Sequence, residues 1–280
     1  MPRPRKEFEL DEEISKLYYS AKEAQRRLGL GNDRDRFNYI LRTRNIQRVP
    51  FLGGQGYYKK SEIDQLYAEI WAFLLVGESK DILYRAATLD DIDAEIELAA
   101  LNFGSKRAEA TRGHRTRFLQ ALPEMSHYLF SKGQMVAAIN LLPMKHEAIL
   151  QFREGKRGWL FSTDELEQFE PDHRLECIVI DCMTTTCATK DKRMRYASLL
   201  LGNLARVTFV DWANRGIDIA SIDACGGTDD GRRILKRAGF ELLGIYENGR
   251  DIYHLDIDSS EMPLLREYKA ALAEWRKQQG

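Results

Sequence analysis

Leu175-Glu176-Cys177-Ile178-Val179-Ile180-Asp181-Cys182-Met183 is the stretch on which the fold turns. It is a continuous apolar run of strand length, the pattern of a strand covered on both faces. After it the spacing predicts a long helix from about Arg195 to Asn214, then a strand over Ile217–Ala224. Cys225-Gly226-Gly227 makes a loop, and Thr228 caps a helix that stops at Gly239, a glycine at the expected helix end. Leu242–Glu247 and Arg250–Ile257 read as strands joined by Asn248-Gly249, a strong hairpin signal. Upstream, Ser126–Phe130 and Met135–Leu142 read as strands paired around Lys132-Gly133. Residues 151–174 form a polar and aromatic excursion in which Pro171-Asp172 breaks any helix. Further back stand a strand over Ile82–Ala87 and a helix over Asp90–Leu101, with Ile92, Ile96, Leu98 and Ala99 inward.

Composition bounds what such a chain can be. Its 280 residues suffice for one large domain or two ordinary ones. The apolar and charged shares, 44% and 30%, exclude a disordered chain. A net charge of −1 excludes a chain-wide affinity for nucleic acid or acidic membranes. The average hides a local excess: residues 20–60 hold ten Lys/Arg against three acids, the footprint expected where phosphates are met. Met1-Pro2-Arg3-Pro4-Arg5 leads into acidic residues rather than a signal peptide. The longest apolar run, Ile70 to Val76, has seven residues, against roughly 20 for a bilayer span, so no membrane partner is expected. Four cysteines without a secretory context read as reduced thiols, and the chain as cytoplasmic. Cys177, Cys182 and Cys187 are spaced by five, but an odd separation on a strand sends Cys177 and Cys182 to opposite faces. No metal is expected.

The overall expectation is an α+β chain with boundaries at 1–78, 82–258 and 259–280. In the first part Ser20-Ala21-Lys22-Glu23 is a capping box, opening a helix with Ala21, Ala24 and Leu28 on one face. A turn through Leu30-Gly31-Asn32 leads to a second helix, Arg34–Arg42, with Phe37, Ile40 and Leu41 inward. Ile46–Tyr58, with glycines at its centre, reads as a two-stranded wing, and Ser61-Glu62-Ile63-Asp64 opens a third helix to about Leu75. Tyr19–Ala24, the wing and Tyr57–Asp64 together resemble the winged helix-turn-helix of the MerR and excisionase-like families, a small all-α DNA-binding domain. That resemblance implies that Arg34, Arg36, Asn38 and Tyr39 face the major groove. It places Arg44, Arg48, Lys59 and Lys60 on phosphates. The plainer reading of the same charges is a solvated face.

The order of elements over 82–258 resembles the GNAT acetyltransferase superfamily. Three local features agree: Tyr84–Asp91 as opening strand and helix cap, Met135–Pro143 as central strand, and Gly231–Phe240 as the helix with its terminal Gly-Phe. The resemblance implies a mixed α/β domain whose central sheet splays between 175–183 and 217–224 to admit acetyl-CoA or another acyl-CoA. Main-chain groups around Ile180 to Met183 would pair with the pantetheine arm. The pyrophosphate would meet the following helix start, where the nearest fit to the family motif is Arg193-Met194-Arg195-Tyr196-Ala197-Ser198. Lys190, Lys192, Arg193 and Arg195 would add charge there, though a solvated basic turn reads equally well. Two departures stand out: Tyr196 occupies a glycine position, and Leu235 occupies that of the usual tyrosine acid. By position rather than motif, Glu176 or Asp181 would act as base, if they are not simply strand-edge carboxylates. The five histidines are scattered, no His–Asp pair or Gly-x-Ser-x-Gly motif appears, and a hydrolase triad is not expected. The tail from Ser260 reads as an amphipathic helix that packs on its own chain or joins a homodimer.

Three functions follow: an N-acyltransferase taking a small-molecule or protein amine and carried to DNA by its first domain; a transcriptional regulator whose second domain binds a metabolite such as acetyl-CoA without catalysis; or a non-catalytic interaction module.

Overall fold

A computed structural model describes residues 17–28, 34–50, 56–64, 66–67, 81–156, 161–245 and 251–279. The chain divides into two units, Met1–Phe73 and Leu74–Gly280. In the first, strand β1 (Tyr18–Ser20) leads into helix α1 (Ala21–Arg27), followed by α2 (Arg34–Thr43), β2 (Val49–Pro50) and β3 (Gly56–Lys59). Ser20 and Glu23 close the expected capping box, each side chain bonding the other's amide at 3.3 and 2.8 Å. Phe37 and Leu41 of α2 are buried with Ala24 and Leu28, and Phe37 meets Tyr58 edge-on at 5.4 Å. Ile40, expected inward beside them, is half-exposed.

This unit is not all-α. β3 pairs with β2 as expected of a wing, but also with β1, giving an antiparallel sheet ordered β1-β3-β2. Tyr18-Tyr19 and Tyr57-Tyr58 are good strand formers, and their pairing adds a third strand to the wing. The turn at 29–33 and the wing tip at 51–55 lie outside the described residues. So does most of the third helix, which is helical over 60–64 and 66–67.

The second unit is a sheet with helices on both faces. In chain order it runs β4 (Ile82–Ala86), α3 (Ile92–Phe103), α4 (Ser105–Ala121), β5 (Ser126–Ser131), β6 (Gln134–Met144) and α5 (His146–Arg153). Then come β7 (Arg174–Thr184), α6 (Lys190–Asn203), a π turn over Leu204–Thr208, α7 (Phe209–Asn214) and β8 (Asp218–Gly226). The unit ends with α8 (Asp229–Arg237), β9 (Glu241–Ile245), β10 (Asp251–Asp256) and α9 (Arg266–Gln279). The spatial order is β4-β5-β6-β7-β8-β10-β9. Only β7 and β8 run parallel among the described strands, and the long helical connection between them is what a parallel pair requires.

Each sheet face has its own core. Ile178 and Met183 of β7 point to the face covered by α3, α4 and α5, with Ile96, Phe118, Ile149 and Phe152. Leu175 and Cys177 point to the opposite face with Leu199, Phe209 and Trp212. The tail helix α9 is part of that second core, not a separate segment: Tyr268 and Leu272 are buried, and the Trp275 ring lies over Gly216. Gly239 holds φ +85°, and a Cβ there would sit 2.6 Å from Met262, so the helix end admits no other residue without strain.

One expectation about β7 fails for a specific reason. Opposite β6, Asn140 faces Asp181 and Leu141 faces Val179, so Ile180 is an extra residue, a bulge. The bulge resets the alternation. Cys182 lies opposite Ile139 on the face that holds Cys177, not the opposite one. Five residues of strand still part the two thiols by about 16 Å. Among the described residues no group of three or more His, Cys, Asp or Glu is placed to hold a metal ion. No helix among them is long and apolar enough to cross a membrane.

Candidate functional site

The parallel pairing of β7 with β8 runs from Arg174↔Asp218 to Val179↔Ala224 and stops there. Beyond it, Asp181 to Thr184 continue paired to β6 alone, while Cys225 and Gly226 continue paired to β10 alone. The two strands therefore part at their C-terminal ends, and the bulge at Ile180 lies at the point of separation. Of the residues expected to meet an acyl-CoA arm, Met183 is buried on the α3 face and Ile180 packs partly against the same cluster.

Two helices begin where these strands end. Thr189 caps α6, its Oγ1 accepting from the Lys192 amide, and Thr228 caps α8, its Oγ1 accepting from the Gly231 amide at 3.0 Å. Lys190 Nζ lies 3.5 Å from Asp230, so the first residue of α6 and the second of α8 touch. Amides of a first helical turn lie ahead of the helix's own ladder and point donors into the junction, where Lys190 and Lys192 stand beside the first-turn acids Asp191, Asp229 and Asp230.

The position expected for the pyrophosphate motif needs correction. The helix starts at Lys190, a turn earlier than its spacing suggested, because the Thr189 hydroxyl supplies the cap. Tyr196 and Ala197 are therefore well inside α6, buried in the core, and Ser198 donates to the Met194 carbonyl at 2.9 Å. Tyr196 is no obstacle in a phosphate loop; it is a packing residue with Lys192 over its ring at 5.6 Å. The groups at the helix start are Thr189, Lys190 and Lys192, with Arg193 half-buried behind them and Arg195 exposed. The Arg193 Nε is buried and has no hydrogen-bond partner among the described residues, a donor left available. Leu235 lies half-buried on α8.

Two clusters of buried charge flank the opening on the α3–α5 face. In the first, Glu95 accepts from Arg115 (2.5 Å), Tyr128 (2.8 Å) and Asn140 (2.7 Å), and Arg115 also donates to Asp181 at 2.6 Å. Burial works against the Arg115 charge, but Asp181 and Glu95 outweigh it and strengthen its hold on its proton. Asp181, one of the two expected bases, is thus half of a buried ion pair that pins the bulge.

In the second cluster Arg153, at the end of α5, reaches β7 and β8, and its Nη2 lies 3.5 Å from His254 Nδ1 on β10. It donates to Glu176 on β7 at 2.9 Å, to Asp223 on β8 at 2.9 Å and to Ser221 at 3.2 Å. Burial again opposes its charge and the carboxylates of Asp223 and Glu176 prevail. Two imidazoles complete the arrangement: His254 Nδ1 lies 3.0 Å from Asp223, and His146 Nδ1 is hydrogen-bonded to the second oxygen of Glu176. A His–Asp pair therefore exists although none is visible along the chain; it forms because His254 and Asp223 are directly opposite in the β8–β10 register. It makes no hydrolase triad, since Ser221 is held by Arg153 and no hydrogen bond joins it to His254 among the described residues. Glu176, the other expected base, joins His146 to Arg153 within this second cluster. His146, Arg153, Asp223 and His254 carry no sequence motif, and all four lie outside the Leu175–Met183 strand: two on α5, one on β8 and one on β10.

In the first unit Arg34, Asn38 and Tyr39 are exposed on α2, Tyr39 at 63%, and Arg36 stands on the same helix. Arg44 and Arg48 are exposed after it, and the Arg48 side chain lies over Gly56. Lys59 lies 3.6 Å from Glu62, and Lys60 sits over the Tyr19 ring at 4.9 Å, so both engage their own unit.

No protein-family profile matches this chain, and neither does any curated protein. Among solved structures it is similar to a GNAT-family acetyltransferase from Bacillus cereus, at 12% identity and TM-score 0.39, over 62% of this chain and 96% of that one. It is likewise similar to the loading GNATL domain of CurA from Lyngbya majuscula, at 11% identity and TM-score 0.45, over 64% and 99%. A third is the paia N-acetyltransferase from Thermoplasma acidophilum in complex with coenzyme A, at 12% identity and TM-score 0.39, over 62% and 98%.

Proposed function

We propose that the second unit is an acyl-CoA-dependent N-acyltransferase, with acetyl-CoA or another acyl-CoA as donor and an amine as acceptor. The observation that carries this reading is the one-sided end of the β7–β8 pairing. A parallel pair that stops halfway leaves backbone N–H and C=O groups of Ile180 to Met183 facing an opening rather than a strand, and such groups require partners. An extended pantetheine arm, itself an amide chain, supplies them as a surrogate strand. The anionic end of the same molecule suits the mouth formed by the starts of α6 and α8, with Lys190, Lys192 and the unpartnered donor of Arg193 close by. When bound there, the acyl-CoA supplies the thioester. The chain's own part is to orient that thioester against the amine, a contribution of proximity rather than of a dedicated acid, since Leu235 cannot give a proton to the departing sulfur.

The first unit, in this proposal, holds duplex DNA through the exposed Arg34, Asn38 and Tyr39 of α2, with Arg36 on the same helix. Calorimetry with the full chain tests the donor site. Acetyl-CoA should release or absorb heat with saturable binding, and Arg193→Ala should weaken it several-fold by removing a charged donor. Absence of heat at millimolar acetyl-CoA would sink the reading. Binding without thiol release in the presence of amines would instead identify a metabolite sensor.

A further inference from the structure

Glu176 stands where a base would serve the opening, but neither of its oxygens is free. Oε1 is bound by Arg153 and Oε2 by His146. A carboxylate in two such bonds takes up a proton only by giving up an ion pair. The group beyond it has no such constraint. His146 is the first residue of α5, its side chain is two-thirds exposed, and its Nδ1 is turned to the carboxylate. A carboxylate only accepts, so the ring carries its hydrogen on Nδ1 and leaves the Nε2 lone pair outward.

How His146 reaches this place is itself informative. β6 and β7 are antiparallel neighbours, which two residues can join, yet residues 145–173 lie between them. That insertion delivers both His146 and Arg153 to the sheet face beside the opening. The Lys145 amide is pinned to the Glu165 carbonyl at 2.8 Å, which fixes the start of α5. Glu176 precedes Val179, where the strands part, by three residues or about 10 Å of strand. That span accommodates an acyl group and an acceptor nitrogen.

We infer that His146 is a catalytic residue, its Nε2 taking the proton of the acceptor amine, and that Glu176 is the positioning residue that holds its ring. The inference rests on the acyltransferase reading above. As the amine nitrogen forms its bond to the acyl carbon, the carbon–sulfur bond breaks and its electron pair leaves on sulfur. The nitrogen's proton passes to His146 and from there, through solvent, to the thiolate, giving amide and free thiol. The surrounding charges suit a transient imidazolium. Glu176 from β7 and Asp223 from β8 bring two negative charges against the one positive charge of Arg153, with His254 from β10 bonded to Asp223. Lys145 and Glu147 flank the ring in the chain and oppose each other in sign. The acceptor this arrangement fits is a small primary amine able to approach an exposed ring.

The test uses the full chain, acetyl-CoA and a set of small primary alkylamines, with thiol release followed against pH. The wild type should lose kcat/KM on the acid side as one group takes a proton. His146→Gln should lower kcat about 100-fold or more and abolish that acid limb, while leaving acetyl-CoA binding heat unchanged. Glu176→Gln should keep the limb while lowering kcat about 10-fold at every pH, because the ring loses the bond that orients it, and Glu176→Asp should restore part of the rate. If the limb instead disappears in Glu176→Gln and survives in His146→Gln, the carboxylate is the base and the inference is wrong. Bound acetyl-CoA with no thiol release from any amine also overturns it, while leaving the acyl-CoA site standing. No binding heat removes both.

Discussion

His127 shows how a single buried side chain ties pH to stability in this molecule. It is buried between Tyr84, stacked at 5.7 Å, and Trp212. Its Nε2 faces the Glu124 carbonyl at 3.0 Å and therefore carries the hydrogen, while Thr208 at 3.4 Å donates to Nδ1 and in turn accepts from the Tyr84 hydroxyl at 2.7 Å. Burial lowers the imidazole to about 4 from an ordinary 6.5, so the folded chain keeps it neutral where the unfolded chain charges it. The stabilisation is complete above pH 6.5 and is lost as pH falls from 6.5 towards 4, by about 3 kcal/mol. His114 shifts the same way and adds to the slope. Urea midpoints at pH 7.5 and 4.5 should fall less in His127→Phe than in the wild type; parallel falls would contradict the assignment. Residues of this kind, and Glu95, Arg115 and Arg153, could not be found from the sequence because their meaning lies in partners 20 to 100 positions away. Glu176 and Asp181 were legible as charges on an apolar strand, but not as members of two separate ion-pair clusters.

At the level of elements, what was legible was what the chain announces locally. The Ser20 and Thr228 caps and the glycine after α8 stand where read. So does the tight turn at Lys132-Gly133, with φ of 53° and 77°. Two helices had no such signal. α4 buries little beyond Ala108, Phe118 and Leu119, so a mostly charged sequence shows no apolar stripe. α5 is eight residues long and buries Ala148, Ile149 and Phe152, too short a period to separate from a loop. The tail helix was legible as amphipathic, and its anchor is specific. The Tyr268 hydroxyl accepts from the Ile219 amide at 2.5 Å and faces the Ile217 carbonyl at 3.4 Å, tying α9 to the start of β8. Tyr268→Phe keeps the ring but leaves that buried amide unsatisfied, and should cost about 1–3 kcal/mol in urea unfolding. A cost near zero would mean that the ring's packing, not the hydroxyl, fixes the tail.

For the whole molecule, charge is divided more sharply than its total of −1 suggests. Residues 20–60 carry a net +7; the first unit as a whole nets +3 and the second −4, so a polyanion is drawn to residues 20–60 rather than to the chain at large. Not all of that positive charge is available. Arg27 is paired with Asp64 at 2.7 Å, Lys59 lies near Glu62, and Lys60 covers Tyr19. Seven other cations lie in the stretch; if about five of them meet phosphate, the slope of log K against log salt is near −4 to −5 for duplex DNA. Full-length protein should therefore bind DNA at 50 mM salt and lose most of that affinity by 200 mM. The two kinds of contact on α2 separate in the same assay. Arg34→Ala should lower affinity on every sequence if it meets phosphate, and make the slope shallower by about one. Asn38→Ala should leave the slope and flatten the preference among sequences if Asn38 reads a base edge. Absence of binding at 50 mM salt would show the basic face to be solvated surface, with the acyl-CoA site proposed for the second unit unaffected by that outcome.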